Sequence, residues 1–346
     1  MEKIRVVIWG FGAMGRGMAE MLLDKKGVQI VGVCDLNPKY EKMNFLDALD
    51  IKTDHEPVII TSNIDQILGT TKADVVLLCT DSFVKDAFEK IKKVVLSGVN
   101  CISTAEEMAY PYANEPILSA QIDHLAKAYG VTVLGTGINP GFIMDLLVIA
   151  LTGTMIDVKH IEAKRINSLS PFGPTVMHEQ GVGITVGEYH KRIMDHKLAG
   201  HVGFKESVYM ISDALGIKLD GFKQQMKPII TNIDRKSTYG EALAGNLAGI
   251  NMTGQGLING DVFIDMIHPQ QIEPELEGTM TGDFIDIEGT PNIHMAITPE
   301  IQGGIGTIAM CVNMIPHVLN SKPGLKTMID LPVPRAILGD MRDLID

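Results

Sequence analysis

Thirteen residues near the amino terminus, Lys3 to Gly15 (KIRVVIWGFGAMG), narrow the folds open to this chain more than any other stretch. The apolar run Ile4 to Trp9 suits a short strand buried on both faces. Gly10, Phe11, Gly12, Ala13, Met14 and Gly15 then spell G-x-G-x-x-G. Gly10 permits a tight turn, Gly12 lets a pyrophosphate approach the backbone, and Gly15 lets the next helix pack close to the strand. Met14, Met18, Met21 and Leu22 recur at helical spacing, predicting a helix over Ala13 to Lys26. A second strand, Val28 to Cys34, runs into Asp35. That acid lies twenty residues beyond Gly15, where a carboxylate accepts the hydroxyls of an adenosine ribose. The alternative reading of Asp35 is a strand-end turn acid. Its charge favours NAD by repelling a 2′-phosphate; Lys39 is near enough in sequence to hold one, so NADP stays beside NAD.

The pattern repeats. Val58 to Thr61, Asp74 to Cys79, Val99 to Ser103 and Val131 to Leu134 read as further strands. Helical stretches around Ile64 to Leu68, over Phe83 to Leu96 and over Asn114 to Tyr129 separate them, the last with Ile117, Ile122 and Leu125 facing inward. Thr80-Asp81-Ser82 is a polar turn suited to capping the helix from Phe83. Strands alternating with helices imply a doubly wound parallel sheet, with ligands off the strands' C-terminal ends. Those ends carry the glycine turn, Asp35, Cys79-Thr80, Ser103 with Thr104-Ala105-Glu106-Glu107, and Gly137-Ile138-Asn139-Pro140-Gly141. Pro140 to Ala150 is read as opening a connecting helix.

From about Met155 the pattern changes. In Val158 to Ile166, Ile161, Ala163 and Arg165 share one face, while His160, Glu162 and Lys164 share the other. Lys227 to Ile233, Phe263 to Ile267, Asp283 to Ile287 and Ile293 to Ile297 also read as strands, predicting a mostly antiparallel sheet covered in part by a helix over Glu206 to Leu215. Gly245 to Gly260 reads as loop or bulged strand. Ile301 to Leu319 turns helical, with Ile305, Ile308, Val312 and Ile315 on one stripe, and a proline-broken tail follows. The expected fold is α/β in three parts: a Rossmann domain over 1–150, a substrate and dimerisation α+β domain over 151–300, and a helix and tail over 301–346 that returns to the first domain.

Composition excludes several classes. A net charge of −12 without a basic stripe disfavours nucleic acid and anionic membranes. No apolar run approaches a membrane span, and the first strand starts with no signal peptide before it. Cys34, Cys79, Cys101 and Cys311 lack C-x-x-C spacing and read as reduced thiols of a cytoplasmic protein. The histidines lack H-E-x-x-H order, so no metal site is expected.

A nicotinamide enzyme needs a proton-transfer group and something to fix its substrate. Glu106 and Glu107 follow the fifth strand directly, and a carboxylate there activates water or holds ammonium. The other reading of the pair is acids favoured by a helix dipole. Arg165 and Asn167 share a strand face, suited to a carboxylate and an amine; the other reading of Arg165 is a surface pair with Glu162. His201, between Gly200 and Gly203, reads as a cleft contact or a structural histidine. Thr307 opens the returning helix, meeting the cofactor or merely packing.

The stretches WGFGAMGRGMAEML, STAEE, GINPGFIMD, KRINSLSPFG and KPGLKTMIDLP together resemble the 2,4-diaminopentanoate dehydrogenase and native amine dehydrogenase family, within the dihydrodipicolinate reductase-like group. The resemblance spans nearly the whole chain. It implies NAD(P)-dependent oxidative deamination of 2,4-diaminopentanoate to 2-amino-4-oxopentanoate in ornithine degradation, by a homodimer joined largely through the second sheet. It places the catalytic glutamate on the Glu106-Glu107 pair, with Glu107 favoured and Glu106 the alternative. It matches Asn139, Arg165, Asn167 and His201 to substrate-pocket positions and Thr307 to the pocket beside them. Met144 falls where some amine-specific relatives carry an aromatic. On this expectation an acid, a guanidinium and the nicotinamide meet in one hollow. Other amine or amino-acid dehydrogenases and dihydrodipicolinate reductase are alternatives, although the latter's paired histidines do not occur here. A nucleotide-sensing regulator is the non-enzyme alternative.

Overall fold

The structure, a computed structural model, describes residues 2–198 and 200–346. The chain divides into two compact units, one comprising residues up to Phe142 with Gly303–Asp346, the other Ile143–Gln302. The sequence pattern puts the boundary near residue 150, a few residues later than this division.

The first unit begins with β1 (Ile4–Trp9), α1 (Ala13–Leu23), β2 (Val28–Cys34), α2 (Phe45–Leu49), β3 (Ile60–Thr61) and α3 (Ile64–Thr70). It continues with β4 (Val75–Leu78), α4 (Val84–Leu96), β5 (Asn100–Ser103), α5 (Pro116–Tyr129) and β6 (Thr132–Gly135). All six strands are parallel, in the order β6-β5-β4-β1-β2-β3. The central ones are buried on both faces, as their continuous apolar runs require: Val6, Val7, Ile8, Val75, Val76 and Leu77 have no exposed surface. The strand order reverses at β1, which pairs with β2 on one side and β4 on the other. A ligand crevice therefore belongs at the C-terminal ends of β1 and β4.

Several expectations need correction here. α1 stops at Leu23 rather than Lys26, because Lys25 N–H turns back to Leu22 O and Gly27 takes a positive φ leading into β2. Ile117 is 73% exposed rather than inward, standing in the first turn of α5 beside Pro116. The turn Thr80-Asp81-Ser82 does not cap α4; its N-cap is Phe83, without a side-chain bond.

The second unit runs α6 (Leu146–Thr152), β7 (Asp157–Ser168), α7 (Pro174–Glu179), α8 (Val186–Met194), α9 (Phe204–Ala214) and β8 (Gly221–Ile230). Then come β9 (Arg235–Lys236), β10 (Glu241–Ala242), β11 (Leu247–Ile258), β12 (Asp261–Gln271), β13 (Gly282–Thr290) and β14 (Ile293–Ile297). Its main sheet is ordered β14-β13-β7-β12-β11-β8, with only β7 and β12 parallel. α6 starts later than expected because Asp145 Oδ1 accepts the Leu146 N–H at 2.6 Å. The glycine-rich stretch is no loop but a long inner strand, β11, with register shifts at two points. Its glycines make room for α9: a Cβ on Gly254 would lie 2.9 Å from the Phe204 side chain, and one on Gly256 2.8 Å from Val208.

The chain then re-enters the first unit through α10 (Gly303–Asn313), α11 (Ile315–Leu319) and β15 (Gly324–Lys326). α10 packs on α1, where Gly17 leaves space for Ile308. Ile305 is 62% exposed and does not join the expected stripe. The proline-broken tail adds a seventh parallel strand, β15 beside β6, and buries Leu325, Met328 and Met341. No helix among the described residues is long and apolar enough to cross a membrane.

Candidate active site

At the strand-order reversal lies a cleft of about 640 Å³, lined by Gly10, Gly12, Asp35, Cys79 and Thr80 from the expected set. The three glycines divide the labour. Gly10 has φ +98°, and a Cβ on it would fall 2.7 Å from Cys79 O. Gly12 faces open space, with nothing within 4 Å of an added Cβ. A Cβ on Gly15 would fall 1.9 Å from Gly10 O, so only glycine lets α1 close on β1. Asp35 holds the turn as well as facing the cleft: Oδ2 accepts the Phe11 N–H at 2.5 Å and Oδ1 the Asn37 N–H at 2.7 Å. These residues fit a dinucleotide.

Phe11 is fully buried behind the turn, with Ala13 and Met14 opening α1. Ser103 is 1% exposed and its Oγ accepts the Ala105 N–H. Thr307 Oγ1 accepts the Ile138 N–H at 3.2 Å. Neither Ser103 nor Thr307 lines the cleft, whereas Ser62, Asn63, Lys90 and Lys93 do. Ser62 and Asn63 follow β3 directly; applying the strand-end rule to that strand finds them. Lys90 is paired with Asp81 and Lys93 with Asp65.

Glu106 and Glu107 lie in a short 3-10 turn, Glu106–Ala109, after β5. β6 holds the turn closely, since a Cβ on Gly135 would fall 2.1 Å from Met108 O. Glu107 Oε2 accepts the Val84 N–H at 2.8 Å, and Oε1 accepts from Asn114 Nδ2 at 3.2 Å. Glu107 is thus the cap that α4 lacks locally, binding an orphan N–H at its positive end. Successive side chains of a 3-10 helix point about 120° apart, so Glu106 projects in another direction. Asn139 is half-buried in the loop after β6.

In the second unit, the inner face of the sheet changes character along β7. Ile161 and Ala163 face the aliphatic core; Arg165 and Asn167 continue the same face as buried polar groups, at 2% and 6% exposure. β12 repeats the change, from Ile264 and Met266 to His268 and Gln270. Arg165 does not meet Glu162, which lies on the other face. Its Nη1 donates to Asp283 Oδ1 and its Nη2 to Ile301 O, both at 2.5 Å. Burial pushes the Asp283 carboxyl up while Arg165 pulls it down. His268 Nδ1 donates to Arg165 O at 2.7 Å, leaving Nε2 as an acceptor in the neutral ring. His201 meets His268 edge to face, centroids 4.8 Å apart, and packs on Phe204. Burial, with the Arg165 charge, holds His201 down to about 3, and His268 is likewise lowered by burial. Met144 is buried in the same unit.

His178 lies 3.3 Å from Arg192, and His190 packs on Tyr189. Among the described residues no cluster of His, Cys, Asp or Glu is built to hold a metal. All four cysteines are free thiols, and burial pushes Cys34 and Cys79 up to about 12.

Residues 142–346 match the family described as 2,4-diaminopentanoate dehydrogenase C-terminal domain. Over 346 residues the chain is 58% identical to a 2,4-diaminopentanoate dehydrogenase of Acetoanaerobium sticklandii, covering 100% of this chain and 98% of that one. An amine dehydrogenase of Streptomyces virginiae is 24% identical, covering 96% and 98%. Among solved structures, an amine dehydrogenase from Mycobacterium smegmatis superposes with a TM-score of 0.86 at 27% identity, covering 97% and 98%.

Proposed function

The chain belongs to the 2,4-diaminopentanoate dehydrogenase family, and on that premise we propose that it oxidatively deaminates 2,4-diaminopentanoate to 2-amino-4-oxopentanoate and ammonia, in ornithine degradation. It is an oxidoreductase acting on a CH–NH2 carbon. The observation that carries the cofactor half is the division of labour among Gly10, Gly12 and Gly15 at the strand-order reversal. The full-length likeness to the Acetoanaerobium sticklandii enzyme carries the substrate half.

Bound NAD(P)+ would supply the acceptor for the hydride that leaves C4. Gly10 to Gly15 would hold its pyrophosphate, and Asp35 would take the adenosine ribose and favour NAD over NADP. Cys79 and Thr80, which line the same cleft, complete the cofactor half. Of the two acids, we assign Glu106 as the base that deprotonates the water adding to the imine, and Glu107, which accepts from Val84 N–H and Asn114 Nδ2, as the residue that anchors the turn. Asn139 and Asn167 orient the amines, and Arg165, His201 and Met144 shape the pocket. Arg165 enters already paired with Asp283, so its local charge is balanced.

The sheet face opposite the core presents Lys164, Ile267 and Phe284 side by side; it supports a homodimer joined there. The free thiols fit the cytoplasm.

Initial rates with 2,4-diaminopentanoate and each cofactor test the reading. Removing a general base costs about 10²–10⁴-fold, so Glu106→Gln should lose that much kcat and still bind NADH. Glu107→Gln keeps one carbonyl acceptor and should lose less than about 10-fold. The reverse ranking would return the base to Glu107, and no turnover of the diamine by the parent enzyme would end the substrate assignment.

A further inference from the structure

On the inner face at the polar end of the second sheet, two buried side-chain atoms have no hydrogen-bond partner among the described residues: Asn167 Oδ1 and Gln270 Nε2. The residues are 6% and 7% exposed. They are direct neighbours across the parallel β7–β12 pair, Gln270 opposite Asn167, and both belong to the inner face. One atom is an acceptor and the other a donor. Leaving an amide group buried and unbonded is costly, and two complementary ones at adjacent register positions make a two-point receptor.

The spacing and charge of that receptor select its ligand. Neighbouring strands stand about 4.8 Å apart, which suits two polar groups carried by a single carbon between them. The nearest charges are few: Arg165 is paired with Asp283, the His201 and His268 rings are neutral, and the Glu300 carboxylate accepts the Ser168 N–H beside Asn167. A buried site with one pendant carboxylate accepts a head that brings its own ammonium with its carboxylate and resists a lone anion. An α-amino acid head, with ammonium and carboxylate on one carbon, meets both conditions.

We infer that Gln270, working with Asn167, is a specificity-determining residue for the α-amino acid head of the substrate, its Nε2 donating to the carboxylate while Asn167 Oδ1 accepts from the 2-ammonium. The inference rests on the substrate reading above and extends it to a residue that sequence reasoning did not single out. Gln270 touches the end of the substrate remote from C4, so it governs which amines enter rather than the chemistry on them.

Two measurements test it. The first needs no variant: kcat/KM of the parent enzyme for 2,4-diaminopentanoate, for 4-aminopentanoate, for butane-1,3-diamine and for butan-2-amine, which lack the 2-amino group, the carboxylate and both. Because each group balances the other, deleting both should cost at least about 10-fold less than the product of the two single losses. Independent, multiplicative losses would overturn the inference. The second is Gln270→Met, close in volume but without the donor. A hydrogen bond to a charged group accounts for about 10–150-fold, so the preference for 2,4-diaminopentanoate over butane-1,3-diamine should fall by that factor, chiefly through KM. An unchanged preference, or equal losses on both amines, would overturn it. A parent enzyme inactive on 2,4-diaminopentanoate but active on another amine would instead remove the substrate reading beneath it.

Discussion

Two neutral imidazoles beside a guanidinium, His268 buried and His201 half-buried, tie the stability of the second unit to pH. An unfolded histidine takes up its proton near pH 6.5, whereas folded His201 takes none until about 3. Between those values the unfolded state binds more protons, so stability is full above 6.5 and falls as the solution is acidified. One such group contributes a slope of about 1.4 kcal/mol per pH unit, and His268 acts in the same direction. Denaturant midpoints should therefore drop from pH 7 to pH 5, and His201→Gln should remove about one proton's worth of that slope; an identical slope would mean the ring is charged when folded. Asp35 gives a second residue-scale expectation. Asp35→Ser removes the charge that a 2′-phosphate would meet, and should raise the kcat/KM ratio for NADP over NAD by ~10-fold or more. Residues are legible from sequence where a local rule sets their spacing. Gly10, Gly12 and Asp35 are spaced by the turn itself and reached the cleft together. Arg165 is the opposite case: its partners, Asp283 and Ile301, lie more than a hundred positions away, and nothing in RIN announces them.

The elements show why glycine recurs in this chain. At Gly135 the missing side chain lets the turn bearing Glu106 sit against β6. Gly135→Ala must displace that turn; its expected signature is kcat lowered by about 10-fold or more with NADH affinity retained, checked by steady-state rates and fluorescence titration. At Gly254 the missing Cβ admits α9, and Gly254→Ala should cost about 1–3 kcal/mol by overpacking, measured as a lower denaturant midpoint without loss of soluble protein. The same packing decides between the two readings the pattern leaves open: a run rich in glycine reads as loop or bulged strand, because turn propensity is local, and β11 lies as a strand with register shifts between two long neighbours. The cap of α4 was hidden for a related reason. Its acceptor, Glu107, lies 23 residues beyond the helix start, outside any capping motif.

For the whole molecule, the alternation of strands and helices was enough to read a doubly wound sheet, and six of its seven strands carry that periodicity. The seventh, β15, is three residues between prolines, too short for any period; only the open edge of β6 makes it a strand. Ending the chain at Lys322 should leave that edge and the partners of Leu325, Met328 and Met341 exposed. We expect such a chain to aggregate, seen as loss of the soluble fraction and of a discrete peak on size exclusion. If it stayed soluble and bound NADH with parent affinity, β15 would be an ornament. During synthesis the same arrangement sets an order of events. The ribosome delivers β6 early and its neighbour almost two hundred residues later, after the entire second unit has emerged. The first unit must wait, its flank unguarded, until β15 has followed.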